Sequence, residues 1–514
     1  MTIHDAKPPQ NAVKTADPQD KRPHAIVIGA GFGGLAAAVR LGARGFRVTL
    51  LDKLDDVGGR AYVTRQDGYT FDGGPTIITA PFVYEELWTI SGKKMADHVT
   101  LKQLEPCYTI RFDNGDIFNT YSDAARMRAE VAKFNPNDVA GYEAFLRESE
   151  RCFQTGFEKM IDKPFPKLMD MVKALPGLIA RRAERSVHKL ASKYVKDERL
   201  RIALSFHPLF IGGSPLKTSG VMSLISFMER KWGVHYVMGG TGALAQGMAD
   251  LVRGHAGTIR NSVTVDEILI NKGKATGVRL ADGTEIASDI VVSNAETGWT
   301  YTHLLRNHRR KRWTDAKVNR AKYSMSLFVW YFGTDKKFDD VEHHTILLGP
   351  RYQGLLKDIF DKKHLAKDFS LYLYRPTHCD PSMAPEGCDS FYVLAPVPNL
   401  EGTTDWDAHA ETYRQAIQDR LEETVMPGLG EHVVTQKIMT PNDFRDRLLS
   451  TKGAAFGMQP LMTQLAWFRP HNKSEEFDNL YMVGAGTHPG AGVPAVVSSA
   501  KILDTVVPDA KQFA

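Results

Sequence analysis

The sequence predicts an α/β fold, a Rossmann-like dinucleotide-binding domain combined with a mixed α+β second domain. Three observations carry the prediction. A strand, a glycine-rich turn, a helix and a second strand follow one another near the start of the chain. A β-meander pattern occupies the middle. A further strand, glycine turn and helix close the chain. At 514 residues, the chain has room for about three domains or two large ones. Apolar residues at 43% and charged residues at 24% match globular proteins and exclude a mainly disordered, collagen-like or disulfide-stapled chain. The formal net charge of +5 is too mild to point to nucleic acid. The 4 cysteines, Cys107, Cys152, Cys379 and Cys388, lack CxxC spacing and read as reduced thiols, with no metal site expected.

Residues 1–23 are polar and proline-rich. They read as a disordered tail without the apolar stretch of an export signal. His24–Ile28 is a β-branched run and reads as a buried strand. It leads into Gly29-Ala-Gly31-Phe-Gly-Gly34, a helix from about Leu35 to Leu41, and a strand ending at Asp52. In a GxGxxG turn, Gly29 allows the tight bend, Gly31 lets backbone approach a pyrophosphate, and Gly34 lets helix and strand pack closely. The free N–H groups of the helix start then face the phosphates, and Asp52 is placed to hold the ribose of an adenosine. Gly58-Gly59-Arg60 follows, with Arg60 a fixed cation for the pyrophosphate. Phe71-Asp-Gly73-Gly74-Pro75-Thr76 adds a glycine pair with no side chains to block a planar ring. This pattern resembles the superfamily of FAD enzymes that includes amine oxidases and carotenoid desaturases. The resemblance implies a two-dinucleotide-binding-domain, amine-oxidase-like flavoprotein.

Further along, strands are expected at Val263–Ile270, Ala275–Leu280 and Ile286–Ser293, with turns at Asn271–Lys274 and Ala281–Gly283. Asn261–Val265 is similar to the segment whose backbone contacts adenine, which makes Val265 a cofactor candidate; an ordinary surface meander is the alternative. The strand Asn479–Val483, the turn Gly484-Ala-Gly486-Thr-His-Pro-Gly-Ala-Gly492 and the helix after Val493 form a second flavin-facing or anion-facing turn. The cofactor domain is therefore expected from residues 24–90, 235–300 and 455–514, and the substrate domain from 91–234 and 301–454. Residues 178–203 read as a basic amphipathic helix with Val187, Leu190, Ala191 and Tyr194 in one stripe. It is either a docking face for an anionic membrane or a solvated face over core. Arg306–Arg312 is a second basic cluster of the same kind.

The sequence as a whole resembles the bacterial-type phytoene desaturases. The residues that carry this are Val27–Gly34, Asp72–Thr76, Ser205-Phe-His-Pro-Leu-Phe-Ile-Gly-Gly213, Met238–Leu244 and Val483–Gly492. Ala495 stands where that family is expected to have glycine. The resemblance implies FAD as cofactor and Gly29, Gly31, Gly34, Asp52, Gly59, Arg60, Gly74, Val265, Gly484, Gly486, Gly492 and Val493 as the residues around it. It implies phytoene as substrate, oxidised in successive two-electron steps toward neurosporene or lycopene. In each step a hydride goes to the flavin N5 and a proton leaves the neighbouring carbon. A helical, membrane-facing lid, a peripheral place on the inner face of the cell membrane, and oxygen or a quinone as electron acceptor follow from the same likeness. Glu148, Glu150 and Arg151 are the acid–base candidates, against a charged helix face with i,i+4 pairs. Phe206, Phe210, Phe227, Trp232 and Tyr236 are candidate aromatic walls. The alternatives are another carotenoid redox enzyme (a hydroxylated-carotenoid desaturase or an isomerase), a flavin amine oxidase, or a prenyl-lipid escort protein that is not an enzyme.

Overall fold

The computed structural model describes residues 20–513, so most of the expected tail lies outside the described residues. Five parallel strands form the first sheet, in the order Leu480–Met482, Ile290–Ser293, His24–Ile28, Arg47–Leu51, Thr258–Arg260. His24–Ile28 is central and wholly buried, as its unbroken apolar run requires of a strand covered on both faces. Helix Phe32–Ala43 packs on this sheet against helices Val493–Lys501 and Thr241–Gly254. The first described helix is thus packed against one far along the chain.

The meander is present, but its third strand divides. Glu285–Ala287 pairs with Lys274–Leu280, and Ile290–Ser293 then leaves for the parallel sheet. The two residues between make the change of sheet possible. Ser288 N–H donates to the Thr276 carbonyl (2.9 Å), and Asp289 N–H donates to the His24 carbonyl (2.9 Å). The Asp289 carboxylate also accepts from the His24 N–H at 2.7 Å. The switch falls at the polar pair Ser288-Asp289, which interrupts the apolar run between Ile286 and Ile290.

A seven-stranded sheet floors the other half, in the order Val433–Met439, Ser326–Thr334, Asp389–Val397, Leu371–Tyr374, His344–Leu347, Tyr108–Arg111, Ile117–Thr120. Neighbours run antiparallel except His344–Leu347 beside Tyr108–Arg111. Helix Trp406–Thr424 covers one face through Trp406, Tyr413, Ile417 and Leu421. The opposite face looks toward the parallel sheet.

The helix expected over 178–203 is three helices. Leu168–Ala180 ends before Arg182, whose φ is +51°. Val187–Tyr194 starts at Ser186, whose Oγ accepts from Lys189 N–H (3.2 Å), and Glu198–Ala203 starts at Asp197. The caps break what the apolar periodicity joins. Val187, Leu190 and Ala191 are buried, so that stripe is core and offers no docking face. Among the described residues no helix is long and apolar enough to cross a membrane.

Candidate active site

A cavity of about 540 Å³ opens at the carboxyl ends of the parallel strands, where ligands of open α/β sheets bind. Eleven of the twelve cofactor candidates line it: Gly29, Gly31, Asp52, Gly59, Arg60, Gly74, Val265, Gly484, Gly486, Gly492 and Val493. Gly34 does not, because its work is structural. A Cβ there would stand 1.9 Å from the Gly29 carbonyl oxygen, so only glycine lets the helix lie this close to the strand.

Asp52, the residue expected to face the adenosine, accepts from Ala30 N–H (2.5 Å) and from Leu54 N–H (2.8 Å). Burial raises its pKa, and the two backbone donors oppose that rise. Asp52 therefore braces the glycine turn as well as facing the cavity. Asp52→Ala is expected to weaken FAD binding by about 1–3 kcal/mol, the scale of a lost hydrogen bond to a charged group. Titration of the flavin-free protein with FAD checks this; unchanged affinity would move the ribose contact to another residue.

In the middle of the cavity two buried cations converge. Arg60 donates to Ser450 Oγ (2.9 Å), and Arg469 donates to the Met458 carbonyl (2.8 Å). The Nε of each is buried and has no protein partner. Burial lowers both guanidinium pKa values, that of Arg469 to about 10, and the Glu296 carboxylate opposes the shift in each. Both cations stay charged at neutral pH. Buried guanidinium N–H groups left unpaired beside a cradle of glycine backbone fit a pyrophosphate. The cradle admits no side chain. A Cβ on Gly33 would lie 2.5 Å from Asn294 Oδ1 and 3.0 Å from Gly484, and one on Gly486 would lie 1.4 Å from Thr297 Oγ1. The residues present fit a dinucleotide.

Asn294, Glu296 and Arg469 line the cavity as well, and the sequence reading missed them. Asn294 and Glu296 had a readable signal, for they follow directly on a parallel strand that ends beside the first glycine turn. Arg469 had none, because it lies in an irregular segment.

Beyond Gly74 the walls turn apolar, with Leu209, Phe210, Ile225, Met228, Leu327, Ile346, Leu348 and Leu394 lining an arm over the seven-stranded sheet. The tyrosines there have their hydroxyls engaged. Tyr392 donates to the Gly74 carbonyl (2.8 Å), and Tyr372 bonds Thr76 Oγ1 (2.8 Å) and His344 Nδ1 (2.7 Å). Burial raises both phenols above their ordinary value. They remain neutral, and the groups they offer an occupant are ring faces. Of the other predicted aromatics, Phe206 lines the arm. Phe227 and Trp232 pack instead with Phe153, and Tyr236 donates to Asp380 (3.2 Å).

Glu148, Glu150 and Arg151 do not reach the cavity lining. Glu148 is buried and paired with Arg181 (3.2 Å) and Arg151 (3.4 Å), while Glu150 and Arg151 are exposed. The pairs differ from the i,i+4 pairs of a charged helix face: Arg151 lies at i,i+3 from Glu148, and Arg181 comes from another segment. Among the described residues the carboxylates that line the cavity are Asp52, Glu229 and Glu296.

Residues 32–502 match the family described as flavin containing amine oxidoreductase. The chain is 51% identical over 498 residues to the phytoene desaturase (neurosporene-forming) of Cereibacter sphaeroides, covering 96% of each chain. It is 47% identical to the phytoene desaturase (lycopene-forming) of Pseudescherichia vulneris, over 93% of this chain and 97% of that one. A solved structure of a putrescine oxidase variant superposes with a TM-score of 0.64 at 13% identity, over 96% of this chain and 99% of that chain. At that identity it speaks for the fold alone.

Proposed function

The chain belongs to the phytoene desaturases, within the flavin containing amine oxidoreductases, and on that premise we propose how its cavity and surface serve the reaction. It is an FAD-dependent oxidoreductase acting on CH–CH groups, and it desaturates phytoene in carotenoid biosynthesis. Bound FAD supplies the two-electron oxidation. The observation that carries the rest is the change in the cavity from glycine backbone and paired cations to an arm of hydrocarbon and aromatic rings.

In this reading Gly29, Gly31, Gly59, Gly74, Gly484, Gly486, Gly492 and Val493 give the cofactor their backbone. Asp52 and Val265 hold the adenosine end, Arg60 and Arg469 the pyrophosphate, and residues 24–90, 235–300 and 455–514 form the cofactor-holding unit. Residues 91–234 and 301–454 form the substrate unit. Phytoene has no polar group, so the arm recognises it by excluding water and matching its width. The ring faces of Phe210, Tyr372 and Tyr392 favour a cation-like transition state.

A substrate dissolved in lipid calls for a docking surface, and helix Leu168–Ala180 has the right one. Leu168, Met169, Val172, Leu175 and Ile179 are 51, 57, 44, 39 and 68% exposed. Among the described residues, half of the exposed large hydrophobic side chains are on this one helix. Exposed Lys163, Lys167, Lys173, Arg182 and Arg185 flank it, as an interfacial helix on an anionic leaflet requires. It follows closely on Phe157 and Ile161, which line the cavity, so a chain leaving the bilayer here has a short way to go. In the other basic cluster three of the five cations are engaged within the protein: Arg306 pairs with Asp266 (2.7 Å), Arg310 with Asp315 (2.8 Å) and Arg312 with Glu475 (2.8 Å). This reading places the protein on the inner face of the cell membrane, with oxygen or a membrane quinone as final electron acceptor.

The test is incubation with phytoene in anionic liposomes plus FAD, followed by pigment chromatography. Replacing Leu168, Met169, Val172 and Ile179 with Ser is expected to remove up to about 1.5 kcal/mol of membrane affinity per residue. Turnover of liposomal phytoene should fall with it, while flavin content stays unchanged. Charge removal at Arg182, Arg185 and Lys189 should have a smaller effect that disappears at high salt. A serine variant that co-sediments with liposomes like the parent would place docking elsewhere.

A further inference from the structure

Glu229 is the one carboxylate, among the described residues, that lines the apolar arm. Asp52 and Glu296 belong to the cofactor end. Helix Leu224–Trp232 carries it, and it is 7% exposed. Its Oε2 accepts from the Tyr108 hydroxyl at 2.9 Å and lies 3.0 Å from His207 Nε2. Tyr108 and His207 are themselves 3.0 Å apart. Glu229 Oε1 is buried without a protein hydrogen-bond partner, and so is His207 Nδ1.

Glu229 also lines a second, small cavity of about 40 Å³ together with His207, Tyr108, Cys107, Thr120 and Arg230. Glu229 therefore borders both spaces, while Tyr108 and His207 back it from the second. On one side lie Met228, Ile225, Phe206 and Leu209 of the arm. On the other lies a pocket with polar groups. Tyr108 belongs to a strand near the edge of the seven-stranded sheet, three strands away from the one that carries Tyr392. At about 4.8 Å per strand this sets the triad well away from Tyr392, whose hydroxyl donates to the carbonyl of Gly74 at the cofactor end.

A buried carboxylate keeps a low free energy only while its oxygens are hydrogen-bonded. Hydrocarbon provides no donor. A chain end that pressed against Glu229 would strip Oε1 of any hydration and give nothing in return. We propose that Glu229, held by Tyr108 and His207, is the inner stop of the substrate arm. It fixes how far a hydrocarbon chain enters and thereby which carbons lie over the cofactor. Glu229 is then a specificity-determining residue, with Tyr108 and His207 as positioning residues. The inference rests on the reading of the arm as a hydrocarbon site.

The experiment uses the FAD-loaded protein and alkylphosphocholines of increasing chain length, whose charged heads stay at the mouth while the tails enter. Binding is read from flavin fluorescence. In the parent, each added CH₂ should tighten binding by about fourfold until the tail meets the stop, after which affinity levels off. In Glu229→Leu the levelling should move to longer tails. Because Glu229→Leu leaves the buried Tyr108–His207 pair without its carboxylate, the variant Tyr108→Phe/His207→Leu/Glu229→Leu, which removes the whole network, guards against misfolding and should show the same displacement. Glu229→Gln keeps a polar wall and should level off where the parent does. A levelling point unmoved in both leucine variants, with FAD bound normally, overturns the proposal. With phytoene as substrate, the leucine variants should also alter the proportions of more and less desaturated products. If the parent fails to oxidise phytoene while the levelling point still moves, the functional reading falls and the inner stop stands.

Discussion

Gly31→Val should leave a folded protein that does not retain FAD. A Cβ on Gly31 meets only Asn294 Nδ2, at 3.2 Å, and backbone at 3.8 Å and beyond. The fold therefore accommodates a methyl with a small shift of one side chain. The bound cofactor cannot move in the same way. Gly31 sits at the N-cap of helix Phe32–Ala43 and lines the cavity beside the Arg60 and Gly59 backbone. Two methyl groups there occupy the approach of a pyrophosphate to the helix N-terminus. Loss of about 4 kcal/mol or more is expected, at least a thousandfold in affinity. The variant should purify colourless, with an unchanged far-ultraviolet circular dichroism spectrum. A yellow preparation that binds FAD like the parent would show that the phosphates do not pass this turn.

Gly34→Ala, three residues away in the same turn, should fail in the opposite manner. Here the added carbon meets protein, 1.9 Å from the Gly29 carbonyl oxygen and 3.1 Å from its carbon. Neither atom belongs to a movable side chain. Helix Phe32–Ala43 would have to rise from strand His24–Ile28, and with it the packing of helices Val493–Lys501 and Thr241–Gly254. More than about 4 kcal/mol of stability should be lost, which is the extreme end for a single substitution. Soluble yield and thermal unfolding report it, and added FAD should not rescue the variant. A Gly34→Ala protein that melts within a few degrees of the parent would contradict this packing. The two glycines thus separate a ligand-facing role from a fold-facing one within a single motif.

What the sequence made legible follows from range. The first strand, turn, helix and strand are set by contacts between near neighbours, and Gly29, Gly31, Gly34 and Asp52 were readable because the motif couples spacing to backbone geometry. The glycine turn of Gly484–Gly492 was readable for the same reason. Arg469 and Glu296 reach the site through chain segments far apart in sequence, and no local period marks such a meeting. The seven-stranded sheet draws its strands from residues 108–120 and 326–439, so its order depends on long-range pairing. In helix Leu168–Ala180 the apolar residues surround most of the axis, with Met171 and Leu178 inward and Leu168, Val172 and Ile179 outward. Composition alone reads that as core. Charge drew attention to residues 178–203 instead, where the apolar stripe is the part that is buried.

The edge strand Leu480–Met482 has a consequence for how the protein is made. It pairs with Ile290–Ser293, and the turn that follows it supplies Gly484, Gly486 and Gly492 to the cavity. The first strands and their helix are made well before this turn, so one wall of the cofactor site is absent when they first pack. A nascent chain halted before residue 480 carries Ile290–Ser293 as an open parallel edge, a template for pairing with other chains. FAD finds a complete cradle only once Gly484–Gly492 has joined the first glycine turn.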